Sequence, residues 1–268
     1  MKKFLILLVT GCLLFGVPPV SILGASPEFT DSVKDQLKLA VEDAGTARKN
    51  SLIKSYDSLS ALQKEHKTWE SKNTSLHNTN EAKLSGVKKK ITELDSAKIR
   101  QLEQKVSTVK QKYQPLFDSS ALANKQLASA KKLKDKALTK LLQTQANGLK
   151  TACTLARQEI RTREAELKEA KAARTRKSAE IRKILGEIDT WKARIKTEKS
   201  SISAANKSSA TEWSNFKAAL KKKDTDRIAG ALTRLDTLFS QGLKSRKNIH
   251  VYEVKIAEIL TKAEAKLK

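Results

Sequence analysis

The stretch IRKILGEIDTWKARI, residues 181–195, sets Ile181, Ile184, Ile188, Trp191 and Ile195 at alternating steps of three and four. That spacing lines one side of an α-helix and suits a seam packed against another helix, whereas a strand needs a period of two. The same phase extends upstream through Leu138, Leu142, Leu149, Cys153, Ala156 and Ile160. It passes Asn147-Gly148 unbroken, and a glycine inside a helix costs only about 1 kcal/mol. The pattern therefore favours one helix over residues 118–200, capped by Asp118, with a hairpin at Asn147-Gly148 as the alternative. Arg163, Arg174 and Lys177 fall on the expected apolar stripe, which marks the middle of this helix as weakly paired or exposed.

On the N-terminal side, Val33, Leu37, Ala40 and Ala44, then after one slip Leu52, Tyr56, Leu59, Leu62, His66 and Trp69, predict a first helix over 30–70. Residues 71–80, rich in Ser, Asn and Thr, read as a loop. A second helix over 80–114 carries Leu84, Val87, Ile91 and Leu94, then Leu102, Val106, Val109 and Tyr113, and ends at Pro115. On the C-terminal side, residues 200–208 read as another break. Ser209 to Glu212 matches a capping box for a short helix with Trp213, Phe216 and Leu220. Residues 223–225 form a turn, with Asp224 or Thr225 capping a last helix over 225–267.

Only nine glycines and four prolines occur in 268 residues, and three of those glycines and two of those prolines fall in the first 25. Sheet folds use far more for their turns. The expected fold class is all-α: an elongated antiparallel helical bundle or coiled coil with very long helices. Its expected parts are a signal segment over 1–25, a long-helix bundle over 26–203 and a C-terminal helical hairpin over 204–268 packed on it.

The segment 1–25 has Lys2 and Lys3, an apolar run from Phe4 to Val17, Pro18-Pro19 and a small-residue end at Gly24-Ala25. This is the layout of a secretory signal peptide cleaved after Ala25. The run is too short to span about 30 Å of hydrocarbon. Lipidation at Cys12, within Val9-Thr10-Gly11-Cys12, and an uncleaved anchor are the other two readings. Cleavage would leave Cys153 as the sole cysteine, so no internal disulfide could form and the mature chain would be held by packing.

Catalytic and metal motifs are not found by spacing. His66, His77 and His250 form no HExxH pair, and neither a Walker A loop nor GxGxxG or GxSxG occurs. The chain is expected to be non-enzymatic, with no cofactor and no metal. Cys153 and His66 lie in phase with apolar neighbours and read as packed core groups. Trp69, Trp191 and Trp213 read likewise as core anchors.

Charge is the remaining signal. Lys and Arg number 54 against 29 Asp and Glu, a net +25. Between Ser119 and Lys183 there are 17 basic and 6 acidic residues. Lys132, Lys136 and Lys140 fall at i, i+4 and i+8 of the expected helix, where like charges on one face repel. Lys88, Lys89 and Lys90, and Lys221, Lys222 and Lys223, form two further clusters. Any one cluster suits a solvated face, but the total creates a positive potential that attracts polyanions. These nine lysines are the candidate contacts. Residues 216–235 resemble the helical hairpins of Gram-positive surface-layer and wall-bound proteins, through a generic pattern that implies a cell-envelope setting.

An exported bacterial chain meets anionic wall polymer or an acidic membrane surface before nucleic acid. With aromatics at 4% and mostly on stripes, no specific nucleic-acid reading is expected. The expectation is an envelope scaffold or spacer that binds anionic wall polymer, secreted or held at the cell surface. A seam that binds another helical protein or a second copy is the alternative, and non-specific binding of extracellular DNA is a third reading.

Overall fold

The computed structural model describes residues 27–267. The expected signal segment, with Cys12 and the Gly24-Ala25 end, lies outside the described residues. The fold is an all-α helical bundle. Its helices are α1 (Asp31–Ala40), α2 (Thr46–Glu93), α3 (Ser96–Lys132), α4 (Lys136–Lys222) and α5 (Thr225–Leu267), and no strand occurs among the described residues.

Several boundaries differ from the sequence reading. The first expected helix is split by a turn over 41–45, and the Gly45 carbonyl accepts from the amides of Arg48 and Lys49 at the start of α2. Residues 71–80 are helical, because the stripe of α2 continues through them as polar residues. Asn73 and Asn80 are buried at the positions where leucines would stand. Pro115 and Asp118 lie inside α3, and Asp118 accepts from the Gln114 side chain at 2.9 Å instead of capping a helix. Residues 200–208 continue α4, where Ala205 and Ser209 keep the buried phase with small side chains.

Asn147-Gly148 also lies within α4. The expected helix over 118–200 is broken instead at 133–135, where Lys134 takes a left-handed conformation with φ 58°. The turn at 223–225 stands as expected. Lys223 has φ 53°, and Asp224 Oδ1 accepts from the Arg227 amide at 3.0 Å, capping α5.

The helices build two compact units. The first combines residues up to Ser71 with Lys196–Ile249. Here α1 and the start of α2 pack on the end of α4 and the start of α5, around Leu37, Tyr56, Leu59, Phe216, Ile228 and Leu235. Phe29, ahead of α1, closes this core. Its ring meets those of Tyr56, Trp213 and Phe239 edge-on at 5.2, 4.9 and 5.5 Å, and Tyr56 donates its hydroxyl to the Thr30 carbonyl at 2.8 Å. Glu212 pairs with Arg234 and Glu198 with Asn248, so α4 and α5 run antiparallel. His66 meets Phe239 and Glu70 meets Arg246, so α2 and α5 run parallel.

The second unit takes Lys72–Ile195 and the chain from His250 onward. Its core gathers Val87, Ile91, Ile181 and Ala263, with Ile184, Leu185 and Leu267 packed against them. Glu103, Lys110, Tyr113 and Leu116 of α3 meet Lys171, Glu164, Glu159 and Cys153 of α4 in turn. Rising numbers in one helix meet falling numbers in the other, so α3 and α4 form an antiparallel hairpin. Its turn is residues 133–135.

Candidate functional site

Within the second unit, α2 stops at Glu93 and α3 starts at Ser96, with Asp95 held left-handed at φ 53°. This junction faces α4 across a cavity of about 670 Å³. Arg100, Arg174, Arg182 and Lys171 line it together with the hydroxyl-bearing Thr92, Ser96, Thr175 and Ser178. The one acid on its wall, Glu103, pairs with Lys171 at 2.7 Å. Arg174 donates to the Thr92 carbonyl at 2.7 Å, so a guanidinium stands at the negative end of α2. The cavity adjoins a second one of about 430 Å³, which shares Ile91, Thr92 and Arg182 and adds Lys88 and Lys192 with one further acid, Asp189. Planar guanidinium groups beside hydroxyl donors suit phosphate oxygens, each offering paired donors in a fixed fork.

Of the lysines singled out by sequence, Lys88 borders this groove, while Lys89 and Lys90 are exposed on α2. Lys132, Lys136 and Lys140 do not share a helix face. Lys132 ends α3, and Lys136 and Lys140 begin α4 across the left-handed turn at Lys134. Helical spacing assumed a continuous helix, and the turn removes that premise. Lys136 and Lys140 line a shallow cavity at the hairpin tip with Lys131 and Lys134. Lys221, Lys222 and Lys223 are exposed at the end of α4, in the first unit, where positive charge complements the helix dipole.

Arg100 and Arg182 escaped the sequence reading, since no run or spacing distinguishes them. Arg174 did leave a signal: a cation on an otherwise apolar stripe. It now stands at the cavity wall.

The second unit also buries a polar layer between α2 and α5. Asn80 Nδ2 lies 2.8 Å from both the main-chain oxygen and the Oε2 of Glu253, while His77 Nδ1 lies 2.8 Å from Oε1. Glu253 is 2% exposed. His250 Nδ1 lies 3.2 Å from Asn73 Oδ1. Nearby, burial pushes the Glu81 carboxyl up, but the hydrogen bond and charge of Lys192 outweigh it and hold the group below its ordinary range. Trp191 and Tyr252 are tilted ring to ring at 5.6 Å, with the Arg194 guanidinium 4.8 Å from the indole centroid.

In the first unit, His66 Nε2 lies 2.7 Å from the Phe239 carbonyl oxygen. That oxygen can only accept, so Nε2 carries the proton. Burial, then the Arg246 guanidinium, holds the imidazole below its ordinary range. Gly242 permits this approach, since a Cβ there would stand 3.2 Å from His66 Cε1. His66 and Trp213 are thus core groups as expected, and Cys153 is buried with its thiol toward the Leu116 carbonyl. Trp69 and Trp191 are only half-buried.

Among the described residues, no cluster of three or more His, Cys, Asp or Glu could hold a metal ion. The chain matches no protein-family model, and comparison with characterised proteins and with solved structures finds no significant similarity.

Proposed function

We propose that this chain is an exported, non-enzymatic scaffold of the cell envelope that holds anionic, phosphate-bearing wall polymer electrostatically. The observation that carries the reading is the groove at the α2–α3 junction, where Arg100, Arg174, Arg182 and Lys171 surround a cavity with a single acid on its wall. Lys88 extends that positive lining along α2. The whole chain carries a net charge of +25, and cleavage after Ala25 removes only Lys2 and Lys3 from it, so a strong positive potential still draws a polyanion toward such a groove. Lys89, Lys90, Lys132, Lys136, Lys140, Lys221, Lys222 and Lys223 are exposed and add diffuse attraction. Cleavage after Ala25 fits this reading, because it leaves Phe29 in place to close the core of the first unit.

Sedimentation of the purified protein with cell walls tests the reading. Binding is expected to be lost near about 0.5 M salt, where exposed charges are screened within a few ångströms. Walls stripped of phosphate polymer should not retain the protein. Arg100→Gln combined with Arg182→Gln should weaken binding more than Lys221→Gln combined with Lys222→Gln. Retention on stripped walls, or release only by detergent, would replace the proposal with the seam-mediated protein partner. Equal binding to any DNA, with the same salt dependence as to walls, would reduce it to non-specific polyanion attraction.

A further inference from the structure

The tip of the α3–α4 hairpin combines two features that rarely coexist on a solvated surface. Leu133 and Leu141 are 75% and 68% exposed, and Leu138 is 39% exposed. All three lie within two helical turns of Lys134. The same stretch of chain carries Lys125, Lys131, Lys132, Lys134, Lys136 and Lys140, every one exposed, and Lys131, Lys134, Lys136 and Lys140 share one shallow cavity. The single carboxylate in that stretch, Asp135, turns onto the Leu138 amide at 3.0 Å and caps α4. Isolated exposed leucines are ordinary, but leucines set among six like charges at a hairpin end call for a partner that satisfies both.

The chemistry narrows the partner. A second copy of the tip would bring six lysines against six more. A hydrophilic polyanion would neutralise the lysines and leave the leucines in water. An anionic bilayer surface accepts both: the leucines enter the boundary between headgroups and acyl chains, while the lysine stems lie along it with their ammonium groups on headgroup phosphates. No helix among the described residues is long and apolar enough to cross a membrane, so such contact is interfacial. We infer that the α3–α4 tip docks peripherally on anionic lipid bilayers through Leu133, Leu138 and Leu141, with the exposed lysines of the same tip on the headgroups. This site is separate from the arginine-lined groove and does not rest on polymer binding.

The test uses the full chain and vesicles of phosphatidylcholine, with or without about 30 mol% phosphatidylglycerol. The wild type is expected to sediment with the anionic vesicles and not with the neutral ones. Leu133→Ser combined with Leu141→Ser should lower that affinity by about tenfold or more, with circular dichroism unchanged. In Leu133→Trp, the added emission relative to wild type should shift to the blue on anionic vesicles. Trp69, Trp191 and Trp213 all lie outside the tip segment and cancel in that difference.

Absence of vesicle binding, wild-type affinity in the double serine variant, or an unshifted Leu133→Trp emission would each overturn the inference. The last two outcomes would leave electrostatic polymer binding intact. Conversely, Arg100→Gln with Arg182→Gln should keep full vesicle binding, and its loss would also overturn the inference.

Discussion

Asn80 of α2 places its amide nitrogen 2.8 Å from both the main-chain oxygen and a carboxylate oxygen of Glu253 in α5. Both partners only accept, which fixes the orientation of the amide and leaves Asn80 Oδ1 buried without a hydrogen-bond partner. Removing either side chain takes one hydrogen-bond partner from the other in a buried layer. Asn80→Ala or Glu253→Ala should each cost about 1–3 kcal/mol in urea unfolding. Replacing both with leucine should recover most of that loss, because His77, with its side chain 43% exposed, can turn to water. A double variant no more stable than either single one would show that the layer stabilises through some other contact.

His66 makes stability depend on pH in a defined direction. Its folded pKa lies below the unfolded value of 6.5, since burial and then Arg246 disfavour the charged ring, while Phe239, Glu65 and Glu70 oppose them more weakly. The unfolded chain then binds the proton more readily than the folded one. The His66 contribution is therefore fully present above about pH 6.5 and is lost as pH falls through the folded pKa. Melting temperatures between about pH 7.5 and 5 should fall further for the wild type than for His66→Gln, whose amide can still donate to Phe239. Parallel curves for the two proteins would refute this assignment.

The turn between α4 and α5 gives a pair of opposite effects. Lys223 pays a steric cost at φ 53° that glycine avoids, so Lys223→Gly should stabilise by about 1 kcal/mol. Asp224→Ala removes the acceptor of the Arg227 amide and should destabilise by about 1 kcal/mol. Thermal denaturation of both variants checks the signs.

Cys153 is 1% exposed between α3 and α4. Labelling of the native protein by an aromatic disulfide reagent should be on the order of a hundredfold slower than labelling in denaturant, because reaction waits on local opening. Immediate labelling would mean that the α3–α4 seam breathes freely at this point.

The sequence reading succeeded at the isoleucines that anchor the seam and failed at Leu138, which its spacing put on the stripe and which is 39% exposed. Ile181, Ile188 and Ile195 are all buried as their spacing required. It also failed where the seam is made of something else. Asn73 and Asn80 occupy stripe positions in α2, and their partners in α5 lie far along the chain, so a loop was the natural inference from composition. Ala205 and Ser209 hid the continuity of α4 in the same way.

Turns misled in the opposite sense. Asp95 and Lys134 adopt the left-handed conformation without any glycine, while Pro115 sits inside a helix. Local preference was outweighed by packing between helices that span whole units of the fold. The arginine groove was invisible for a related reason. Its members come from three helices, and only Arg174 disturbed a pattern.

The parallel pairing of α2 with α5 also orders events in time. Tyr113 and Glu159 are 46 residues apart and Arg234 and Glu212 only 22, so the two helical hairpins can close early from nearby chain. The hydrogen bonds of His66 to Phe239 and of Asn80 to Glu253 each join residues 173 apart. During synthesis α2 is made before its partner exists, and its polar layer stays in water until the residues around Glu253 are added. Closure of α2 on α5 joins these distant pieces of chain, and contacts of such large sequence separation are the kind that slow folding. A nascent chain stopped before Glu253 carries an α2 that can form hydrogen bonds only with solvent at Asn80.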